Sequence, residues 1–327
     1  MELPDTLRWD GQRLALLDQR KLPHDVHYLT INTLDEAWHA IQSLAVRGAP
    51  AIGIAAAYAL AQSMREVPSD AFAAELVRNA AYLKTARPTA VNLAWSADRL
   101  VSSGQDYDRL IAEAIAIHSE DIEICRSLGE QGAGLIEESA NVLTHCNAGS
   151  LAVSGQGTAT APLYHRHAQG AQLHVYVDET RPLYQGARLT AWELDRVGID
   201  VTLICDNMAA TLMAQNKIDV VIVGTDRVTA NGDVVNKIGT LGLAVLCKHY
   251  DIPFYVACPS TTYDRDTPTG QDVTIEERAA DEVRQDHAAP VAVYNPAFDV
   301  TPNQLVTGII TEVGIAGSAA ELAELLG

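Results

Sequence analysis

Ile218-Asp219-Val220-Val221-Ile222-Val223-Gly224-Thr225-Asp226-Arg227-Val228 is the stretch whose reading decides the fold. The unbroken run of branched apolar residues reads as a strand buried on both faces, as in a parallel sheet covered by helices. It stops at Gly224, and an acid follows, so Asp226 is delivered at the carboxyl end of a strand. Open α/β sheets bind their ligands at that edge. Asn141-Val142-Leu143-Thr144 repeats the pattern and ends at His145-Cys146-Asn147-Ala148-Gly149. One sheet edge is therefore expected to present a thiol, Cys146, together with a carboxylic acid, Asp226.

Outward from these two strands, the chain shows two regimes. From residue 141 onward, short apolar runs alternate with helical segments, predicting strands at 142–144, 173–177, 201–204, 219–223, 254–257 and 306–311. Helical patterns such as 187–197 and 208–215 fill the gaps between the first five, which implies a parallel sheet with helices on both faces. Before residue 135 the pattern is mainly helical, over 34–46, 51–64, 71–84, 90–101 and 106–136. Asp70 and Thr89 are the expected caps of the third and fourth helices. A small β element precedes them at 7–9, 13–17 and 26–31, with Asp10-Gly11 as a hairpin turn. The α/β class follows, with domains at 1–135 and 136–327. The charge-rich stretch 264–290 reads as an excursion over the site or a short surface helix.

With 327 residues and 48% hydrophobic content, the chain can bury a substantial core in two domains. Its net charge of −19 repels phosphodiester backbones and anionic lipid, so neither nucleic acid nor membrane is an expected partner. An anionic small substrate would need local cations, which directs attention to arginines in glycine- or proline-containing turns. Cys125, Cys146, Cys205, Cys247 and Cys258 are widely spaced with no CxxC pair, which fits neither a disulfide framework nor a zinc site. Cys125, Cys205 and Cys247 read as packing residues. Met1 to Asp10 lacks the apolar stretch of a signal peptide, and the mainly apolar run 49–61 is too short to span a bilayer. A cytoplasmic protein is expected. Gly155-Gln156-Gly157 is a GxG whose third glycine is replaced by Thr160, so no nucleotide cofactor is expected.

Arg47-Gly48-Ala49-Pro50-Ala51-Ile52-Gly53 opens a helix, with Pro50 suited to its first turn. Gly48 and Ala49 allow a ligand close to free N–H groups, and Arg47 adds charge. The simpler reading is an ordinary helix start. Arg87, beside Pro88 and just before another helix, has the same logic, and two such turns point to a phosphate clamp. After the 173–177 strand, Arg181 and Gln185 are candidates for sugar hydroxyls, while Asp178 either joins them or pairs structurally with Arg181. Asp206 is expected to cap the helix that follows it. His145 suggests a Cys/His couple, yet successive strand side chains face opposite ways, so it is not expected to activate Cys146 directly. Asn236 and Lys237 supply an amide and a further cation.

The segments RGAPAIG (47–53), TARPTAVNLAW (85–95), LTHCNAG (143–149), DETRPLYQGARLTAWEL (178–194), GTDRV (224–228), NKIGT (236–240) and NPAFDVTP (295–302) resemble the methylthioribose-1-phosphate isomerases over nearly the whole chain. The wider group includes ribose-1,5-bisphosphate isomerases and regulatory subunits of the translation-initiation exchange factor. The resemblance implies a Rossmann-like C-terminal domain, a helical N-terminal domain and a homodimer. It implies Cys146 and Asp226 as the catalytic pair, with Asp226 as proton donor. Arg47, Gly48, Ala49, Arg87, Gln185, Asn236 and Lys237 match substrate-holding positions.

The implied reaction turns 5-methylthioribose 1-phosphate into its 2-ketose within methionine salvage. Phosphate on the anomeric oxygen blocks ordinary ring opening, so an acid must protonate the ring oxygen, and a raised pKa is expected for Asp226. Enolate and hydride-shift routes both stay open, and neither needs metal or nucleotide. Small polar residues at Ser150 and over 153–160 depart from the pattern and leave the 5-substituent open. A related pentose phosphate is the alternative substrate. A non-catalytic regulatory role fits less well, because Cys146 and Asp226 are both retained.

Overall fold

The computed structural model describes residues 3–88, 90–285 and 289–327. They divide into two units: Leu3–Cys125 with Ser150–Gly157, and Arg126–Gly149 with Thr158–Gly327.

In the first unit, β1 (Leu7–Trp9), β2 (Leu14–Leu17) and β3 (Tyr28–Ile31) form an antiparallel sheet in sequence order. The Asp10 carboxylate accepts the N–H groups of Gln12 and Arg13, which closes the expected turn at Gly11. Helices α1 (Leu34–Gln42), α2 (Ala49–Ser63), α3 (Phe72–Lys84), α4 (Val91–Ser103) and the start of α5 (Tyr107–Ala133) follow. Thr33 and Glu36 form a reciprocal capping box on α1. The small residues of α2 are buried on every side from Ala51 to Ala61. Gly53 shows why: a Cβ there would lie 2.8 Å from the Asn92 carbonyl oxygen, so α4 packs against bare backbone. Asp70 does not cap α3. Its N-cap is Ala71, without a side-chain bond. The cap expected at Thr89 lies outside the described residues.

The second unit holds β4 (Asn141–Thr144), β5 (His174–Asp178), β6 (Asp200–Ile204), β7 (Val220–Val223), β8 (Arg227–Thr229), β9 (Val234–Lys237), β10 (Phe254–Ala257), β11 (Tyr263–Asp264), β12 (Phe298–Thr301), β13 (Gly308–Thr311) and β14 (Gly314–Ala316). Its helices are α6 (Ala161–Ala168), α7 (Ala191–Arg196), α8 (Ala209–Ala214), α9 (Thr240–Tyr250), α10 (Ala280–Arg284) and α11 (Ala319–Leu326). Seven strands pair in the order β14-β13-β10-β7-β4-β5-β6, all parallel except β14. The chain moves from β4 outward to β5 and β6, then returns to the other side of β4 at β7. The order reverses between β4 and β7, and that is where a doubly wound sheet opens its ligand crevice. Val142 pairs with Val220 and Leu143 with Val221, so the carboxyl ends of both strands face the same edge. All four β7 residues are buried, and Phe254, Val221, Val223 and Leu143 belong to one core cluster. Burying a side chain such as Phe254 contributes roughly 1.5–3 kcal/mol.

A four-stranded sheet, β11-β8-β9-β12, was not expected from the sequence pattern. Its central hairpin turns at Asn231-Gly232, with Gly232 at φ 82°. The 264–290 stretch carries the short helix α10, held where Arg181 donates to the Val283 carbonyl and Gln285 to the Pro182 carbonyl. Among the described residues, no helix is long and apolar enough to cross a membrane.

Candidate active site

Cys146 follows β4 with φ 62°, a left-handed conformation that costs a non-glycine residue on the order of 1–3 kcal/mol. Its two amide groups account for its persistence there. The Cys146 N–H donates to Thr180 Oγ1 at 2.8 Å, and its carbonyl accepts from Thr190 Oγ1. Thr180 is itself left-handed at φ 65°, with its N–H on Asp206. The thiol-bearing residue is buried at 8% exposure. Beside it, the Asn147 amide donates to Thr190 Oγ1 and to the fully buried Glu193 carboxylate. Gly149 leaves room for that carboxylate, since a Cβ there would fall 1.3 Å from Glu193 Oε1.

Asp226 sits half-buried after β7, in a turn fixed by its own N–H to the Val235 carbonyl. Thr225 Oγ1 accepts the Arg227 N–H and lies 3.1 Å from the Val235 carbonyl oxygen. Arg227 pairs with Asp264 at 2.9 Å. The two turns touch: a Cβ on Gly224 would lie 2.5 Å from the Ala148 Cβ. The thiol segment and the acid segment are thus packed against each other at the point where the sheet reverses.

Gln185 opens the π-helical turn Gly186–Thr190, is 7% exposed, and has its Oε1 buried without a hydrogen-bond partner. An unsatisfied buried acceptor costs about 1–3 kcal/mol, which a hydroxyl donor would relieve. Asn236 and Lys237 end β9. Asn236 donates to Thr240 Oγ1, and the Lys237 ammonium reaches the Ala297 carbonyl and lies 4.6 Å from the Phe298 ring centre.

In the first unit, Arg47 is half-buried and precedes Gly48, the N-cap of α2 at φ 93°. A Cβ on Gly48 would come within 2.5 Å of Ala152 backbone atoms, so only glycine fits. Ala49 and Pro50 begin α2, as the sequence predicted. Arg87 is half-buried in the turn before α4, where its carbonyl accepts the Ala90 N–H.

Four sequence readings need correction. Asp178 pairs with His145, at 2.9 Å to Nδ1, and not with Arg181. Arg181 is spent on the Tyr184 hydroxyl and the Val283 carbonyl, which leaves it poorly suited to a sugar. Asp206 does not cap the helical turn it begins; its two oxygens accept the N–H groups of Thr180 and Arg181. Cys205, expected to be packed, is exposed.

His145 is fully buried, with Nδ1 on Asp178 and Nε2 2.9 Å from the Ile238 carbonyl oxygen. Neither nitrogen is left for Cys146, although the reason is these two hydrogen bonds and not strand alternation, since β4 ends at Thr144. Burial opposes charge on His145, but the hydrogen bond to Asp178 and the fields of Asp178 and Asp206 outweigh it and raise its pKa. Burial also lifts Asp178, against the pull of His145. Both shifts describe one proton held between Nδ1 and Oδ2. His145, Asp178 and Asp206 each bring a donor atom within 4.8 Å of the others. A cation there would have to displace that proton and compete with the Asp206 bonds to backbone.

Residues 45–318 match the model of the initiation factor 2 subunit family. The chain is 53% identical over 326 residues to the 5-deoxyribose 1-phosphate isomerase of Bacillus thuringiensis (strain Al Hakam), covering 94% of each chain. It is 53% identical over 330 residues to the methylthioribose-1-phosphate isomerase of Chloroflexus aurantiacus, covering 95% of this chain and 94% of that one. The crystal structure of 5-methylthioribose 1-phosphate isomerase from Pyrococcus horikoshii OT3 superposes with a TM-score of 0.91 at 39% identity, over 99% of this chain and 96% of that one. Likeness of this depth and extent makes the chain an isomerase. With the match running through both units, the chain belongs to the initiation factor 2 subunit family.

Proposed function

We propose that the chain isomerises 5-methylthioribose 1-phosphate to 5-methylthioribulose 1-phosphate, the aldose–ketose step of methionine salvage. The observation that carries this reading is the packing of the Cys146 and Asp226 turns at the reversal of strand order. Asp226 gives its proton to the ring oxygen as the C1–O bond opens. In one route Cys146, as thiolate, takes the C2 proton and returns it to C1, while Asp226 recovers a proton from the C2 hydroxyl. In the other, hydride moves from C2 to C1 within the sugar, and the C2 hydroxyl again gives up its proton to Asp226. Either route ends in a C2 ketone with both catalytic groups restored.

Arg47 and Arg87 are assigned to the phosphate, with Gly48 and Ala49 giving backbone N–H groups. Gln185 Oε1 is assigned to a sugar hydroxyl, and Asn236 and Lys237 to the remaining polar edge. The working form is a cytoplasmic homodimer. The 5-deoxyribose 1-phosphate isomerase of Bacillus thuringiensis, at 53% identity, supports a second reading in which the 5-position carries hydrogen in place of methylthio. A panel of ribose 1-phosphates bearing methylthio, hydrogen, hydroxyl or phosphate at C5, with ketose followed by NMR, tests the proposal. Highest kcat/KM for the methylthio sugar is expected. Preference for the 5-deoxy sugar selects the second reading, and no ketose from any of them refutes both.

A further inference from the structure

His145 joins three segments that the sequence keeps far apart. It is the residue before Cys146, its Nδ1 meets Asp178 at the end of β5, and its Nε2 meets the Ile238 carbonyl, one residue beyond Lys237. A carbonyl oxygen only accepts, so Nε2 carries a proton, and a second proton lies on the Asp178 contact. The Ile238 turn is shaped around the ring. Gly239 stands at φ 109°, and a Cβ there would lie 2.9 Å from His145 Cε1. Asp299 holds the same turn from outside, accepting the N–H groups of Gly239 and Leu241. Asp178 serves both sides, since its own carbonyl accepts the Thr180 hydroxyl that receives the Cys146 N–H.

We propose that His145, gripped by Asp178 and the Ile238 carbonyl, is a positioning residue that locks the strained Cys146 turn to the Asn236-Lys237 segment. It touches no reacting atom. Its work is to keep the thiol and the substrate-holding end of β9 in one fixed relation, and a displacement of about 1 Å in such a relation costs on the order of 100-fold in rate. This inference rests on the proposed isomerase reading for its kinetic consequence, but its geometric content stands apart from it.

The experiment uses the full-length chain carrying Cys205→Ser, which removes the exposed thiol. His145→Gln places an amide donor near the position of Nε2 and drops the link to Asp178. Asp178→Asn keeps the size of the side chain but puts a neutral amide where the carboxylate met Nδ1, which weakens the grip on His145 without removing it. Two readouts are taken beside thermal melting. The first is iodoacetamide alkylation at Cys146, read by peptide mass spectrometry, which does not depend on any activity. The second is the split of kcat from KM on 5-methylthioribose 1-phosphate. His145→Gln is expected to change the Cys146 alkylation rate by roughly 10-fold or more and to lower kcat about 100-fold with KM changed little. Asp178→Asn is expected to fall between that variant and the parent in both. An alkylation rate within twofold of the parent in a folded His145→Gln protein overturns the inference. Should that variant not fold, an Asp178→Asn protein with parental alkylation and kcat overturns it equally. A parent with no turnover at all, yet with the alkylation change present, refutes the isomerase reading and upholds the positioning role.

Discussion

Gly224→Ala tests the contact on which the site is built. The added Cβ would stand 2.5 Å from the Ala148 Cβ, 3.3 Å from Thr158 Oγ1 and 3.8 Å from the Ala148 Cα. Carbon atoms pack at about 3.5–4.0 Å, so one turn must retreat by roughly 1 Å. The Ala148 methyl is fixed directly to the backbone, so the retreat from the shortest contact has to come from backbone. Overpacking of this kind costs about 1–3 kcal/mol. The same shift moves the Cys146 turn away from Asp226, and kcat is expected to fall on the order of 100-fold. Ala148→Gly removes the opposing methyl and leaves only the milder Thr158 contact. The double variant Ala148→Gly/Gly224→Ala should therefore recover much of the loss, with a coupling energy of about 1–2 kcal/mol between the two sites. Urea denaturation and steady-state kinetics on the four proteins of the cycle measure it. Additive stability costs, or a Gly224→Ala enzyme with parental stability and kcat, would refute the packing of the two turns.

Three further outcomes are expected. Cys146→Ser and Asp226→Asn should each abolish ketose formation while melting temperature stays close to that of the parent; turnover within 10-fold of normal in either variant contradicts its assigned role. Arg87→Ala should raise KM for the sugar phosphate with a smaller effect on kcat, and an unchanged KM counts against the phosphate clamp. Asp121 is buried, accepts the Ser154 N–H, and has its pKa raised by that burial to about 6 from the usual 3.8. The folded state therefore binds this proton more tightly than the unfolded chain, and the contribution to stability is lost as pH rises from about 4 through 6. Across that window the loss is on the order of 3 kcal/mol. Asp121→Asn should accordingly gain stability relative to the parent between pH 4 and pH 8, whereas a difference independent of pH would show that Asp121 is not buried as a charge.

The sheet was legible because its strands are announced locally. Val220–Val223 has no polar face, and a strand buried on both sides leaves an unbroken apolar run that no surface helix produces. The positions of Cys146 and Asp226 followed from where those runs stop. The β8–β9 hairpin was missed although Asn231-Gly232, a strong hairpin signal, lies in plain view, because its strands are short and rich in polar residues. Asn236 and Lys237 close the second strand of that hairpin, a placement the sequence pattern did not give. The His145–Asp178 pair was illegible for a different reason. It bridges neighbouring parallel strands 33 positions apart, and nothing in local periodicity announces such a bond. Arg181, three residues from Asp178, looked the natural partner by proximity along the chain, yet backbone geometry turns it toward Tyr184 and Val283. Asp206 failed as a cap on similar grounds: its carboxylate has a better use in bracing the left-handed Thr180.

A crystal structure of the Asp226→Asn protein soaked with 5-methylthioribose 1-phosphate tests the central claim most directly. The account predicts the sugar's C1–C2 bond beyond the carboxyl ends of β4 and β7, with Cys146 Sγ and the residue-226 amide each within about 3.5 Å of reacting atoms. Sugar phosphate bound anywhere else, with Cys146 out of reach of C1 and C2, would contradict it.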